Sequence, residues 1–189
     1  MSEAAKMKVD RAKAGFMIID VQEKLSAAMQ PEELDWKVGN IGILMQAMKA
    51  LGVPVIFTEQ YPRGLGGTIS EVGKHIQKGQ APLDKVEFSC MANEKIAKAV
   101  ADSGRTQWIL AGMESHVCVY QTARDLVAQG MDAFAVYDAV ISRTGVNFEI
   151  GIRLMERAGA FITSTEAILF DLLHKAGSDE FRELQPLVK

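Results

Sequence analysis

Short apolar runs, each followed by a segment of helical period, constrain this chain more than any other feature. Ala14 to Val21 (AGFMIIDV) reads as a buried first strand and Val53 to Thr58 (VPVIFT) as a second. Trp108 to Ala111, Met131 to Tyr137 and Ala160 to Thr163 repeat the pattern, with a shorter extended piece at Val86 to Phe88. Between them, Glu32 to Leu51 sets Leu34, Val38, Ile41, Leu44, Met45 and Met48 at helical spacing, and Gly52 stops it. Met91 to Asp102, the stretch from about Val117 to Gly130, Phe148 to Ala158, Glu166 to Leu173 and Asp179 to Val188 read as further helices. Ser164 or Thr165 serves as a cap. Strands that are apolar throughout need cover on both faces, and strand-helix alternation supplies it. The pattern predicts one domain over residues 1–189: a three-layer, Rossmann-like α/β fold with a six-stranded parallel sheet.

Charge and composition narrow the function. A formal net charge of -3 offers no basic field for nucleic acid, so no nucleic-acid partner is expected. Two cysteines in 189 residues form no disulfide framework and suit a reducing, cytoplasmic setting. The first dozen residues are polar, without a signal peptide's apolar core, and no run is long enough to cross a bilayer, so no membrane partner is expected.

Three residues stand where chemistry tends to collect. Asp20 closes the first strand, and ligands bind at the carboxyl ends of parallel strands. Cys118 follows a strand (WILA), Gly112 as the end of that strand, and a polar turn, Glu114-Ser115-His116. It therefore sits in the first turn of a helix, with Val117, Tyr120, Leu126 and Val127 on the apolar face. The helix dipole and unpartnered N–H groups there favour thiolate, the nucleophilic form. The same residue also reads as a small buried apolar side chain. Lys85 lies beside the short piece at 86–88. An ammonium near the thiol depresses its pKa, and a carboxylate can accept its proton. Glu59 to Gly67 (EQYPRGLGG) reads as a loop walling a pocket, with Glu59, Gln60 and Tyr61 as substrate contacts or as an ordinary connection.

The segments FMIIDVQEKL, DKVEFS and AGMESHVCVYQTARDLVAQG resemble the three signature segments of the isochorismatase-like cysteine hydrolases. VPVIFTEQYPRGLGGTISEVG is similar to their isochorismatase domain-containing branch. The resemblance runs from about Gly15 to Lys189. It implies a triad of Cys118 as nucleophile, Asp20 as proton acceptor and Lys85 as thiolate stabiliser. It also implies a cis peptide at Met113–Glu114, with the N–H groups of Glu114 and Cys118 forming an oxyanion hole. Thr58-Glu59-Gln60-Tyr61 stands where nicotinamidases of the superfamily carry an Asp and His metal set, so no metal and no cofactor is expected.

The remaining residues read as packing or surface. Cys90 lacks a helix-start argument, His116 diverges from Cys118 at its offset, and His75 and His174 have no partner pattern. The expectation is a metal-independent cysteine hydrolase of a small amide, ester or related carbonyl compound, working as a homo-oligomer to which Phe170, Leu172 and Leu173 contribute. The alternative is a binding or oligomeric scaffold with little turnover. A dinucleotide domain is disfavoured, because Asp20-Val21-Gln22-Glu23 carries no G-x-G-x-x-G.

Overall fold

A computed structural model, describing residues 3–76 and 79–189, has six parallel strands. They are β1 Ala14–Ile19, β2 Val55–Gln60, β3 Leu83–Lys85, β4 Gln107–Met113, β5 Asp132–Ile141 and β6 Phe161–Thr163. Their order in the sheet is β3-β2-β1-β4-β5-β6. The chain works outward from β1 and then returns to β4 on its other side. Adjacent strands whose connections leave in opposite directions open a crevice at their carboxyl ends. Ile19 pairs with Thr58 on one side and Gly112 on the other, so Asp20 emerges at that crevice.

Side-chain alternation divides the core. Phe16, Ile18, Ile109, Ala111, Phe134 and Val136 face helices α1 Pro31–Leu51 and α5 Thr165–Leu173. Met17, Ile19, Trp108, Leu110, Ala133 and Ala135 face α2 Glu94–Asp102, α3 Tyr120–Ala128 and α4 Gly145–Arg157. Helix α6 Asp179–Leu184 adds Leu184 to the first cluster. The α1 helix ends at Gly52, in the left-handed region with φ 67°. Leu172 and Leu173 are core residues of that same cluster, which corrects their expected place at an interface. Only Phe170 of the three is exposed.

Three expectations shift for physical reasons. Gly112 does not end its strand, because β4 runs on to Met113. Lys85 is the last residue of β3 itself, and 86–88 is an irregular bend outside the sheet. The Met91 to Asp102 helix is divided: Asn93 accepts from the Lys95 and Ile96 N–H groups and starts α2 afresh. Of the two candidate caps for α5, Ser164 is the one that accepts, from Ala167.

The β5 strand extends past Asp138 because it bulges. Its pairing with β4 moves from Leu110↔Ala135 to Gly112↔Val140, five residues against two. The carbonyls of Tyr137 and Asp138 accept instead from α1, through Lys37 Nζ at 2.7 Å and Asn40 Nδ2 at 2.8 Å. Lys37 is buried with its ammonium over the rings of Trp36, Tyr137 and Phe148. Among the described residues no helix is long and apolar enough to cross a membrane.

Candidate active site

Asp20 turns the chain out of β1 with φ 54°, a left-handed conformation that Asp tolerates better than most residues. Its side chain is fully buried and each oxygen has a partner. Thr58 Oγ1 donates to Oδ1 at 2.7 Å, and Lys85 Nζ donates to Oδ2 at 2.6 Å. The Asp20–Lys85 pair has no solvent exposure on either side chain. Burying one charge alone is costly, so the two ions depend on each other. Their mutual attraction holds the Lys85 ammonium above its ordinary pKa, against the opposing effect of burial.

Cys118 lies in a π-type turn, Ser115–Val119, that feeds α3. The Met113–Glu114 peptide before it is cis. The turn packs closely on α4: a Cβ on Gly151 would stand 2.6 Å from the Ser115 carbonyl carbon. The buried face of α3 consists of Thr122, Ala123 and Leu126, with Val119 just before it. Tyr120 and Val127 are only partly covered.

The Cys118 thiol lies within electrostatic range of the Asp20 carboxylate and the Lys85 ammonium. The expectation of a resting thiolate is corrected by this setting. Burial pushes the thiol pKa up, the Asp20 charge raises it further, and Lys85 lowers it by less. These effects favour the protonated thiol at Cys118, with Asp20 and Lys85 facing it. Iodoacetamide alkylation of Cys118 is therefore expected to rise about tenfold per pH unit between roughly pH 7 and 9 without levelling. A plateau below about pH 8, read by mass spectrometry, would contradict this setting. Because the fold favours the protonated thiol, stability is expected to fall as pH rises past the unfolded value of about 8.5.

Cys90 stands closer to the chemistry than its sequence position suggested. It is fully buried, its Sγ lies 3.8 Å from Thr58 Oγ1, and it lies within electrostatic range of Cys118, Asp20 and Lys85. Burial pushes its thiol up to about 11, and with no solvent exposure, against 6% for Cys118, it is the less accessible of the two.

The three loop residues are already engaged or open. Glu59 Oε1 accepts from the N–H and hydroxyl of Thr68, which closes the loop on itself. Gln60 contacts Lys85 Nζ at 2.7 Å. Tyr61 is exposed, with a left-handed backbone of φ 38°. The Glu114 carboxylate is held by Arg143, through its N–H at 3.0 Å and Nε at 3.1 Å. His116 Nδ1 lies 3.0 Å from Ser142 Oγ, which in turn lies 2.7 Å from Ser115 Oγ. His75 and His174 take no part in the site. Among the described residues no group of three or more His, Cys, Asp or Glu gathers as a metal set.

Sequence reading missed Thr58, Gln22 and Arg143. Thr58 had a signal, a hydroxyl at the carboxyl end of an apolar strand beside Asp20. Gln22 and Arg143 had none, since both act through contacts with distant parts of the chain.

Residues 14–167 match the model of the isochorismatase domain. The chain is 35% identical over 174 residues to isochorismatase domain-containing protein 2 of Danio rerio, covering 92% of this chain and 85% of that one. It is 35% identical over 179 residues to the secreted isochorismatase effector Isc1 of Phytophthora sojae, covering 92% and 83%. Among solved structures, the MAR1 ribonuclease of Caenorhabditis elegans superposes with a TM-score of 0.88 at 30% identity, covering 96% of this chain and 92% of that one.

Proposed function

The chain belongs to the isochorismatase family, and on that premise we propose that it is a metal-independent cysteine hydrolase of a small amide, ester or related carbonyl compound. The observation that carries this reading is the fully buried Asp20–Lys85 pair within electrostatic range of the Cys118 thiol.

The Cys118 thiol passes its proton to Asp20 as sulfur bonds to the carbonyl carbon, and the carbonyl oxygen becomes an oxyanion. The N–H groups of Glu114 and Cys118 receive that oxyanion. Asp20 then protonates the departing amine or alkoxide as its bond to carbon breaks, leaving a thioester. Water attacks the thioester carbon and passes a proton to Asp20; the C–S bond breaks, the carboxylic acid leaves, and Asp20 returns the proton to sulfur. Lys85 keeps its charge throughout. It holds Asp20 in place and offsets the negative charge that develops on sulfur.

Metal independence is read from the donor set. The side chains at the end of β2 are committed elsewhere: Thr58 to Asp20, Glu59 to Thr68, Gln60 to Lys85. Both cysteines are free, in keeping with a reducing, cytoplasmic setting. Exposed Trp36, Tyr137, Val146 and Ile150 suit association with further copies, which light scattering would detect.

The test is a panel of small amides and esters, with RNA added because of the worm relative's name. Intact-mass spectrometry follows any adduct, and Cys118→Ala and Lys85→Met serve as controls. The expected outcome is an acyl adduct on Cys118 and no turnover in Cys118→Ala. Turnover that survives Cys118→Ala sinks the mechanism. Binding without adduct or turnover across the panel would favour the scaffold alternative.

A further inference from the structure

Lys85 ends a three-residue edge strand that pairs only with β2, yet its ammonium must be held against Asp20 and Cys118. An ammonium carries three hydrogens. Two contacts of Lys85 Nζ are short: Asp20 Oδ2 at 2.6 Å and Gln60 Oε1 at 2.7 Å. The carbonyls of Glu87 and Phe88, at 3.3 and 3.2 Å, are longer. Two short acceptors set the direction of the Lys85 head.

The Gln60 acceptor is itself locked. Gln60 Nε2 donates to the Val86 carbonyl at 2.9 Å, so a flipped amide would set NH2 against an ammonium and oxygen against a carbonyl. Its backbone is clamped by the fully buried Gln22. Gln22 Oε1 accepts from the Gln60 N–H at 2.7 Å, and Gln22 Nε2 donates to the carbonyls of Gln60 at 3.0 Å and Gly66 at 2.7 Å.

We propose that Gln60 is a positioning residue for Lys85, a neutral second acceptor that aims the ammonium without cancelling its charge. The proposal rests on the cysteine-hydrolase reading and replaces the expectation that Gln60 contacts substrate. Neutrality matters because a carboxylate at this point would pair with Lys85 and weaken its field at Cys118. A hydrocarbon would remove one of the two short acceptors and leave that N–H to the longer Glu87 and Phe88 carbonyls.

The groups facing Cys118 are Asp20, Lys85 and Cys90, with His116 and the Glu114–Arg143 pair nearby. The experiment compares Gln60→Met and Gln60→Glu with wild type and Lys85→Met. It reads the pH profile of Cys118 alkylation and, by mass spectrometry, acetylation of Lys85 in the native state. Gln60→Glu is expected to keep Lys85 protected but to slow Cys118 alkylation about tenfold at a given pH, a shift of about one unit. Gln60→Met is expected to expose Lys85 to acetylation and to slow Cys118 several-fold. Protection of Lys85 by Glu but not Met separates an acceptor role from general folding, and melting temperatures report on the fold directly.

If both variants keep the wild-type Cys118 profile and Lys85 protection while Lys85→Met alters the profile, the positioning role is overturned and the triad stands. If Lys85→Met also leaves the profile unchanged, the triad reading itself fails.

Discussion

Asp20→Asn is expected to lower turnover by roughly 10²- to 10⁴-fold, the usual contribution of a positioned proton acceptor, while making Cys118 more reactive toward iodoacetamide. The opposite signs follow from one cause. Asp20 raises the Cys118 thiol pKa and is also the group that takes its proton. Without it, the Lys85 ammonium, paired at 2.6 Å in the wild type, is left with no carboxylate. The nearby thiol can then ionise to replace the lost anion, so the alkylation midpoint moves down by more than about one pH unit. Turnover falls all the same, because no group remains to hand a proton to the leaving group.

The same reasoning makes Asp20→Asn/Cys118→Ala the harsher variant. It removes the carboxylate and the thiol that could ionise in its place, and so strands a buried ammonium, at a cost of about 3–5 kcal/mol. For a chain of this size that lowers the melting temperature by roughly 6–20 °C. Adding Lys85→Met removes the stranded charge and is expected to recover most of the loss, because no buried charge is then left without a partner. Slower alkylation in Asp20→Asn, or no recovery in the triple variant, would show that the three groups do not form one electrostatic unit.

Gly112→Ala is expected to destabilise the protein by roughly 3–5 kcal/mol, combining backbone strain with overpacking. Gly112 has φ 115°, and a Cβ there would stand 2.0 Å from the Ile19 carbonyl oxygen. The obstacle is backbone rather than a side chain that could swing away. Ile19 immediately precedes Asp20, and Gly112 lies two residues before Glu114, so the damage falls on both sides of the crevice. Thermal unfolding and Cys118 alkylation check the two consequences together. A melting point within about 3 °C of wild type would mean that the strands separate here at little cost. By contrast, the same change at Gly52 meets no neighbouring atom and has only its left-handed φ of 67° to resist it.

How much of this was legible beforehand differs from residue to residue. The α1 helix and its stop at Gly52 were plain, because helical period and a left-handed terminus are local properties. The strand at VPVIFT was plain in kind but displaced by two residues, since pairing with β1 and β3 decides where a strand begins and ends. Gly112 was misread because a glycine that stops a strand and one that admits a neighbouring backbone look the same in one dimension. The clamp that Gln22 places on Gln60 was not legible, because it spans 38 positions.

What the amino-acid sequence determined by itself was the layered architecture and the neighbourhood of its chemistry. Burial on both faces demands unbroken apolar runs, and the runs place Asp20 at one strand end and Cys118 in the turn that follows another. What only the tertiary structure decided was the chemical state of that neighbourhood. Asp20 and Lys85 are 65 positions apart, and whether a thiol beside them rests protonated depends on their distances from it and on how completely water is excluded. Coulomb energy and desolvation act through space, so composition and spacing along the chain do not encode them until the fold has set those distances.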